Sequence, residues 1–220
     1  MLYDEAYRAA GDVTSEVNRR YAEARGYPFV LCRHSLDTTL PIVWSKLKLI
    51  QQQMEGCDWV FWVDADALIV GTRPLDPIVE PQAGKDVLFS TDKCGYCAGV
   101  MLVRSCHWAW RYLDTAQFVG PTPLAGRNLY DQSTLKALVA NFPGVAERCG
   151  GMADSIVQNP DSAFHAEALA VHYWGNNCGP EFLLIRKAVA LYEAQGYTPE
   201  VFRPQLSVRP DLASAETLGP

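Results

Sequence analysis

Hydrophobic positions along the chain follow two spacings that alternate from one segment to the next. Continuous apolar runs, which are typical of strands buried inside a sheet, occupy residues 59–63, 99–103 and 168–172, with shorter candidates at 29–32 and 87–90. Apolar residues three or four positions apart predict helices at residues 13–25, 41–55, 108–118, 132–139 and 182–194. Strands that alternate with helices predict an α/β fold, with a Rossmann-like, mostly parallel central sheet flanked by helices.

Length and composition fit one domain that spans residues 1–220. Apolar residues make up 49% of the chain, which is enough for a sizeable core. Residues 198–220 are rich in proline and lack periodicity, so they predict an irregular C-terminal tail. The formal net charge of −6 and the absence of a basic run argue against a nucleic-acid partner. We expect no membrane segment and no signal peptide in this chain, because it lacks the apolar runs that either would need.

The chain has seven irregularly spaced cysteines, and its size of 220 residues excludes a small disulfide scaffold. Most of the cysteines are predicted to be buried hydrophobic residues. One or two disulfides remain an alternative for a protein of a secretory lumen. Cys94 and Cys97 have the spacing of a redox or zinc pair. The pair precedes a predicted strand instead of opening a helix, and no second pair completes a zinc site, so redox chemistry is a minor alternative.

Two carboxylates, Asp64 and Asp66, directly follow the apolar run at residues 59–63. Ligands bind open α/β sheets beyond the carboxyl ends of the strands, and hard oxygen ligands suit Mg²⁺ or Mn²⁺. Such an ion can bridge the carboxylates to a diphosphate and neutralise its charge as it leaves. The plain alternative is a surface turn with two solvated aspartates. A haloacid-dehalogenase-like phosphatase is a further alternative, although Leu68 stands where that family usually has threonine or valine.

Short motifs follow one another in order from Asn18 to Gly175. They are Asn18-Arg19-Arg20-Tyr21-Ala22 with Gly26-Tyr27, Trp44-Ser45-Lys46, the strand ending in Asp64-Ala65-Asp66, Gly99-Val100-Met101-Leu102-Val103-Arg104-Ser105, Asp131-Gln132-Ser133, and His172-Tyr173-Trp174-Gly175. Together they resemble the galactosyl/mannosyl/xylosyltransferase family, which includes yeast Golgi galactosyl- and mannosyltransferases and plant xyloglucan xylosyltransferases. The resemblance implies a glycosyltransferase A-type fold and a Golgi enzyme. That enzyme would move a hexosyl or pentosyl unit from a UDP- or GDP-linked sugar to an oligosaccharide or polysaccharide, with retention of configuration.

The same resemblance assigns roles to individual residues. It implies that Asp64, Asp66 and His172 bind Mn²⁺ or Mg²⁺. It also implies that Asp131 and Gln132 lie against the reacting face of the donor sugar, as catalytic residues. The residues it implies for donor binding are Lys46, Asp64, Ala65, Asp66 and Gly175.

Each of these assignments has a simpler alternative. His172 can be a core histidine, with His165 as the competing ligand, Asp131 can be a helix N-cap, and Lys46 can be an exposed helix lysine. A further class is a glycan-binding relative that has lost catalysis.

Three departures from the family pattern stand out. No strand precedes the first predicted helix, so the family's first strand is expected to be missing from this chain. Cys97 stands where the family has the asparagine of its Asn-x-Gly block. Asn176 and Asn177 stand where a basic residue is often found.

Overall fold

The computed structural model describes residues 1–92, 95–121, 130–153, 156–158 and 168–173. The helices are α1 (Arg8–Arg25), α2 (Ser45–Gln53), α3 (Asp76–Val79), α4 (His107–Val119), α5 (Asp131–Asn141) and α6 (Pro143–Ala146). The strands are β1 (Trp59–Val63), β2 (Ala67–Ile69), β3 (Val87–Asp92), β4 (Gly95–Arg104), β5 (Cys149–Gly151), β6 (Val157–Gln158) and β7 (Ala170–His172). Short 3-10 helices lie at Glu5–Tyr7, Ile42–Trp44 and Glu80–Gln82.

The larger sheet has four strands in the order β1-β4-β3-β5. β4 runs antiparallel to both of its neighbours, and β5 runs parallel to β3, so every strand except β4 points the same way. The predicted α/β class is confirmed. The reversed direction of β4 follows from a hairpin, because Asp92 at the end of β3 pairs with Gly95 at the start of β4.

This hairpin changes the surroundings expected for Asp64. β1 ends at Val63, which pairs with Val100 of β4, so the predicted strand near Val100 does lie beside it. Val87 of β3 pairs with Val103 on the far side of β4, so β3 does not pair with β1. Within the described residues, β1 is therefore paired along one side only.

A smaller sheet of three strands, in the order β2-β7-β6, begins just after the turn Asp64-Ala65-Asp66 (the acidic turn). β2 is antiparallel to β7 with Ala67 opposite His172, and β6 is parallel to β7. This register places His172, a residue from late in the chain, near the end of β1.

The core lies on both faces of the larger sheet. Met101 and Val103 of β4 contact the cluster that α2, α4 and α5 build, which includes Leu47, Ile50, Leu113 and Leu135. Val100 and Leu102 point the other way and join the cluster that contains Tyr21 of α1 and Ile69 of β2. The alternation follows from the two-residue period of a strand.

Some boundaries differ from the predictions. α1 begins at Arg8 and not near residue 13, and Gly11 lets the Tyr3 ring pack against it, since a Cβ at Gly11 would lie 2.5 Å from that ring. The strand predicted at residues 29–32 is reduced to one parallel bridge between Leu2 and Cys32. The helix predicted at residues 182–194 and the tail at 198–220 lie outside the described residues. Among the described helices, none is long and apolar enough to cross a membrane.

Candidate active site

The turn Asp64-Ala65-Asp66 is held in place by its backbone. The Asp64 N–H donates to the Gly99 carbonyl at 2.8 Å, and the Ala67 N–H closes the turn onto the Asp64 carbonyl at 3.0 Å. The hydroxyl of Thr14, on α1, donates to the Ala65 carbonyl at 2.7 Å. Ala65 is itself buried, so it contributes backbone geometry and not a polar side chain.

Asn18 attaches helix α1 to strand β2. Its side-chain amide donates to the Ala67 carbonyl at 2.9 Å and accepts from the Ile69 N–H at 2.8 Å. A buried side chain thus satisfies two backbone groups that a neighbouring strand would otherwise pair. Asn18 belongs to one of the family motifs, but the helical periodicity of α1 carries no signal for this role.

His172 reaches the acidic turn from β7. Its Nε2 lies 3.3 Å from an Asp66 carboxylate oxygen, and the N–H of Tyr173 donates to the Asp66 carbonyl at 2.9 Å. One ligand atom from each of Asp64, Asp66 and His172 falls within 4.8 Å of the other two. The structure therefore brings together the three side chains that the resemblance implies as metal ligands.

The electrostatics of this cluster favour a cation. Burial raises the pKa of Asp64, Lys46 opposes the rise, and Asp66 adds to it. Burial by itself lowers the pKa of His172, but the hydrogen bonds to Asp66 and Cys97 outweigh it and raise the pKa to about 10, so an ion that binds at Nε2 takes the place of the proton there. Two neighbouring carboxylates and an imidazole offer the oxygen and nitrogen donors that Mn²⁺ and Mg²⁺ accept.

Lys46 is buried between two carboxylates, so the alternative of an exposed helix lysine is wrong. Its Nζ lies 2.7 Å from Asp131 Oδ2 and 3.1 Å from Asp64 Oδ1, and it donates to the Ala98 carbonyl at 3.1 Å. Burial lowers the pKa of Lys46, but the two carboxylates outweigh it and hold the pKa above its ordinary value. The amine stays charged and connects the acidic turn to α5.

Asp131 is the first residue of α5, and the N-cap position belongs to Tyr130, so the N-cap alternative for Asp131 is wrong. Its carboxylate turns to Lys46 because the salt bridge compensates its burial. The neighbouring Gln132 accepts a hydrogen bond at its Oε1 from the Ala98 N–H at 2.9 Å. Asp131 is therefore held by Lys46, and Gln132 is held by strand β4. Both Lys46 and β4 lie beside the acidic turn.

Two further contacts were not foreseen from the sequence. The Trp62 indole N–H donates to Asp64 Oδ1 at 2.6 Å, and the Cys97 sulfur lies 3.5 Å from His172 Nδ1. The alternation of a strand places residue 62 on the same side as residue 64, so a signal for the first contact was present. The second joins residues far apart in sequence.

A pocket of about 130 Å³ opens beside the cluster. It is lined by Leu2, Tyr3, Asp4, Tyr7, Ile42, Val43, Lys46, Trp62, Asp64, Ala65, Asp66 and Asp131. Gly175, His165 and Cys94 lie outside the described residues, so the structure does not place them.

Comparison with protein families confirms the resemblance. Residues 13–83 match the model of the galactosyl transferase GMA12/MNN10 family. The chain is 25% identical over 112 residues to Glycosyltransferase 6 of Arabidopsis thaliana, a match that covers 46% of this chain and 26% of that protein. It is 29% identical over 114 residues to "Probable xyloglucan 6-xylosyltransferase 5" of the same plant, with 46% and 24% covered. The matches thus span about a quarter of the length of these relatives.

Solved structures confirm the fold. A glycosyltransferase involved in glycosylation of the major capsid of PBCV-1 superposes with a TM-score of 0.70 at 16% identity, covering 84% of this chain and 97% of that one. The galactosyltransferase LgtC, in complex with donor and acceptor sugar analogues, gives a TM-score of 0.54 at 15% identity, covering 86% and 95%. The protein has the glycosyltransferase A-type fold.

Proposed function

We propose that this chain, with its match to the galactosyl transferase GMA12/MNN10 family, is the catalytic domain of a metal-dependent retaining glycosyltransferase. It moves a hexosyl or pentosyl unit from a nucleotide sugar to a glycan acceptor. The observation that carries the proposal is the convergence of Asp64, Asp66 and His172 within 4.8 Å at the end of β1. The family match and the fold make sugar transfer the chemistry that such a cluster serves.

Asp64, Asp66 and His172 would hold Mn²⁺ or Mg²⁺. The fit rests on the structure, since burial and Asp66 both disfavour ionisation of Asp64, and a cation relieves both effects. When bound, such an ion supplies positive charge to the donor's diphosphate as it leaves. The turn that presents the two carboxylates is already hydrogen-bonded to α1 and β4, so ion binding requires little ordering of the chain.

The donor is proposed to lie in the pocket beside the acidic turn, with its diphosphate near Asp64 and Asp66. Ala65 would contact it by its backbone, and Lys46 would add positive charge to that side of the pocket. Gly175 is proposed to bind the donor on the ground of the sequence resemblance alone. Both galactosyl and xylosyl names occur among the matches, so the sugar is given as a hexosyl or pentosyl unit, on UDP or GDP.

Asp131 and Gln132 are proposed to act on the sugar. Lys46 holds the Asp131 carboxylate in place, where it can accept hydrogen bonds from sugar hydroxyls. A retaining reaction needs stabilisation of an oxocarbenium-like centre, and the partial negative charge on the Gln132 amide oxygen suits that task. The bond from Ala98 uses one lone pair of this oxygen and leaves the other available.

The test is donor turnover with added metal. The chain is incubated with UDP-galactose, UDP-xylose or GDP-mannose and Mn²⁺, and release of the nucleoside diphosphate is measured. We expect slow hydrolysis of one donor, abolished by EDTA and in Asp64→Asn. A glycan-binding relative without catalysis would leave every donor intact, and EDTA-insensitive turnover would contradict the metal assignment. We propose from the family resemblance that, in a eukaryote, the reaction takes place in the Golgi lumen or at its membrane.

A further inference from the structure

The ring of His172 lies directly over Gly99 of β4. A Cβ at Gly99 would come within 2.0 Å of the His172 Cε1 atom and within 2.3 Å of its Nε2 atom. Any side chain at this position would therefore displace the imidazole from the acidic turn. The glycine leaves the space that the histidine ring occupies.

Cys97 contacts the other edge of the same ring. It lies two residues before Gly99, so both residues face the same side of β4. Its sulfur is 3.5 Å from His172 Nδ1, while Nε2 is 3.3 Å from Asp66. Cys97 is 4% exposed and His172 is 7% exposed, so this polar contact is sheltered from water.

A histidine that binds a metal through one nitrogen needs a partner for the other. The second nitrogen carries a proton, and its partner sets which nitrogen is protonated and how the ring is oriented. A buried N–H without a partner is unfavourable, because it loses the hydrogen bond that it makes to water in the unfolded chain. At His172 the partner that the structure gives is the Cys97 sulfur.

The position of Cys97 is itself well defined. The Ser90 hydroxyl donates to the Cys97 carbonyl at 3.0 Å. The carbonyl of the next residue, Ala98, accepts a hydrogen bond from Lys46, and the Ala98 N–H donates to Gln132. The register between β3 and β4 shifts at this point, and the shift leaves the Ala98 backbone groups available for these side chains.

We propose that Cys97 is a positioning residue for His172. Its sulfur accepts a hydrogen bond from Nδ1–H and thereby leaves Nε2 to bind the metal ion. This inference rests on the proposed metal-dependent function. It gives a role to a residue at which the chain departs from the family pattern, where an asparagine stands in place of this cysteine.

The test compares Cys97→Ala and Cys97→Ser with Cys149→Ala. Cys149 is also a buried cysteine of the larger sheet, but it lies in β5 and serves as the matched control. Mn²⁺ affinity is measured by calorimetry. We expect Cys97→Ala to weaken binding about 10- to 100-fold, the range for loss of an outer partner of a metal ligand. Cys97→Ser keeps a hydrogen-bonding atom and should bind nearly as tightly as the unmodified protein, as should Cys149→Ala.

Nitrogen-15 NMR of the His172 ring provides a readout that a general loss of stability would not change. With diamagnetic Mg²⁺ bound at Nε2, every variant keeps its ring proton on Nδ1, and the unmodified protein and Cys97→Ser should show the shift of a hydrogen-bonded Nδ1–H, which Cys97→Ala should lose. In the metal-free protein, the Nδ1 proton should exchange slowly in the first two and rapidly in Cys97→Ala. Identical spectra and affinities in all variants would overturn the inference.

The two proposals fail differently. If the unmodified protein binds neither Mn²⁺ nor Mg²⁺, the proposed metal-dependent function is wrong, and the metal-free spectra still test the contact between Cys97 and His172. If His172→Ala loses metal binding while Cys97→Ala binds like the unmodified protein, the metal site stands and the role of Cys97 is wrong.

Discussion

At the scale of single residues, the site depends on how charge is balanced around Asp64. Its carboxylate accepts the Trp62 indole N–H and lies 3.1 Å from Lys46, and the same lysine binds Asp131. One buried cation therefore serves two carboxylates. The arrangement leaves Asp64 paired when no ion is bound, and it keeps Asp131 in place whether or not an ion is present.

Lys46→Met should remove about 3–5 kcal/mol from the free energy of unfolding, because it leaves two carboxylates without their buried partner. Lys48→Met is the matched control on the same helix. Lys48 pairs with Asp37 in a more exposed position, with a lysine side chain that is 38% exposed, and water screens the attraction within such a pair. Urea unfolding of both variants makes the measurement. Equal losses would show that the buried pair has no special weight.

Gln132→Ala should lower kcat by about 10- to 1,000-fold, the range for removal of one well-placed electrostatic group. The donor dissociation constant should change little, because the acidic turn is untouched. Asp64→Asn should instead abolish metal-dependent donor binding. Ser133→Ala, at an exposed neighbouring position on α5, is the control. Steady-state kinetics and calorimetry decide the matter, and an equal loss of donor affinity in Gln132→Ala and Asp64→Asn would make Gln132 a binding residue.

At the scale of elements, helix α1 stabilises the acidic turn through side-chain hydrogen bonds. Thr14 binds the Ala65 carbonyl, and Asn18 binds the Ala67 carbonyl and the Ile69 N–H. The helix thus holds the start of β2 through side chains, while β7 holds it through backbone pairing. His172 lies in that same pairing, so the geometry of the metal cluster depends on α1 as well as on the two sheets.

Asn18→Ala should lower the free energy of unfolding by about 2–6 kcal/mol, since it leaves one buried carbonyl and one buried N–H without partners, at about 1–3 kcal/mol each. Mn²⁺ affinity should fall as well, because the turn loses its support. Asn141→Ala, whose exposed amide donates to the Ala137 carbonyl within α5, should change neither quantity. Thermal melts and calorimetry provide the readings. A fall in stability without a fall in affinity would show that β7 alone holds the turn.

At the scale of the whole molecule, the packing of the larger sheet governs the chemistry of groups far from the site. Burial raises the pKa of the Cys149 thiol to about 12, although the Tyr112 hydroxyl opposes the rise. Cys57, in contrast, is exposed. The two thiols therefore report on different states of the same fold, one on the native surface and the other on opening of the core.

Iodoacetamide at pH 8 should modify Cys57 quickly in the native protein. It should modify Cys149 only as the protein unfolds, because that thiol stays protonated and sheltered. Mass spectrometry of the peptides resolves the two sites, and urea should accelerate the reaction at Cys149 far more than at Cys57. Rapid native modification of Cys149 would mean that β5 opens readily.

The sequence alone determined the fold class of this protein and indicated several residues of its candidate site. The apolar run before Asp64 and the helical spacing in α4 and α5 predicted the fold class, because periodicity and strand ends are properties of contiguous residues. The order of motifs through His172 gave the family resemblance, and that resemblance implied which side chains cluster. The tertiary structure decided what depends on distant residues meeting. The hairpin placed β4 against β1, packing turned Lys46 inward, and β4 met β7 so that Cys97 contacts His172, 75 positions later in the chain. Local patterns state which face of an element is buried, but only the folded chain determines what packs against that face.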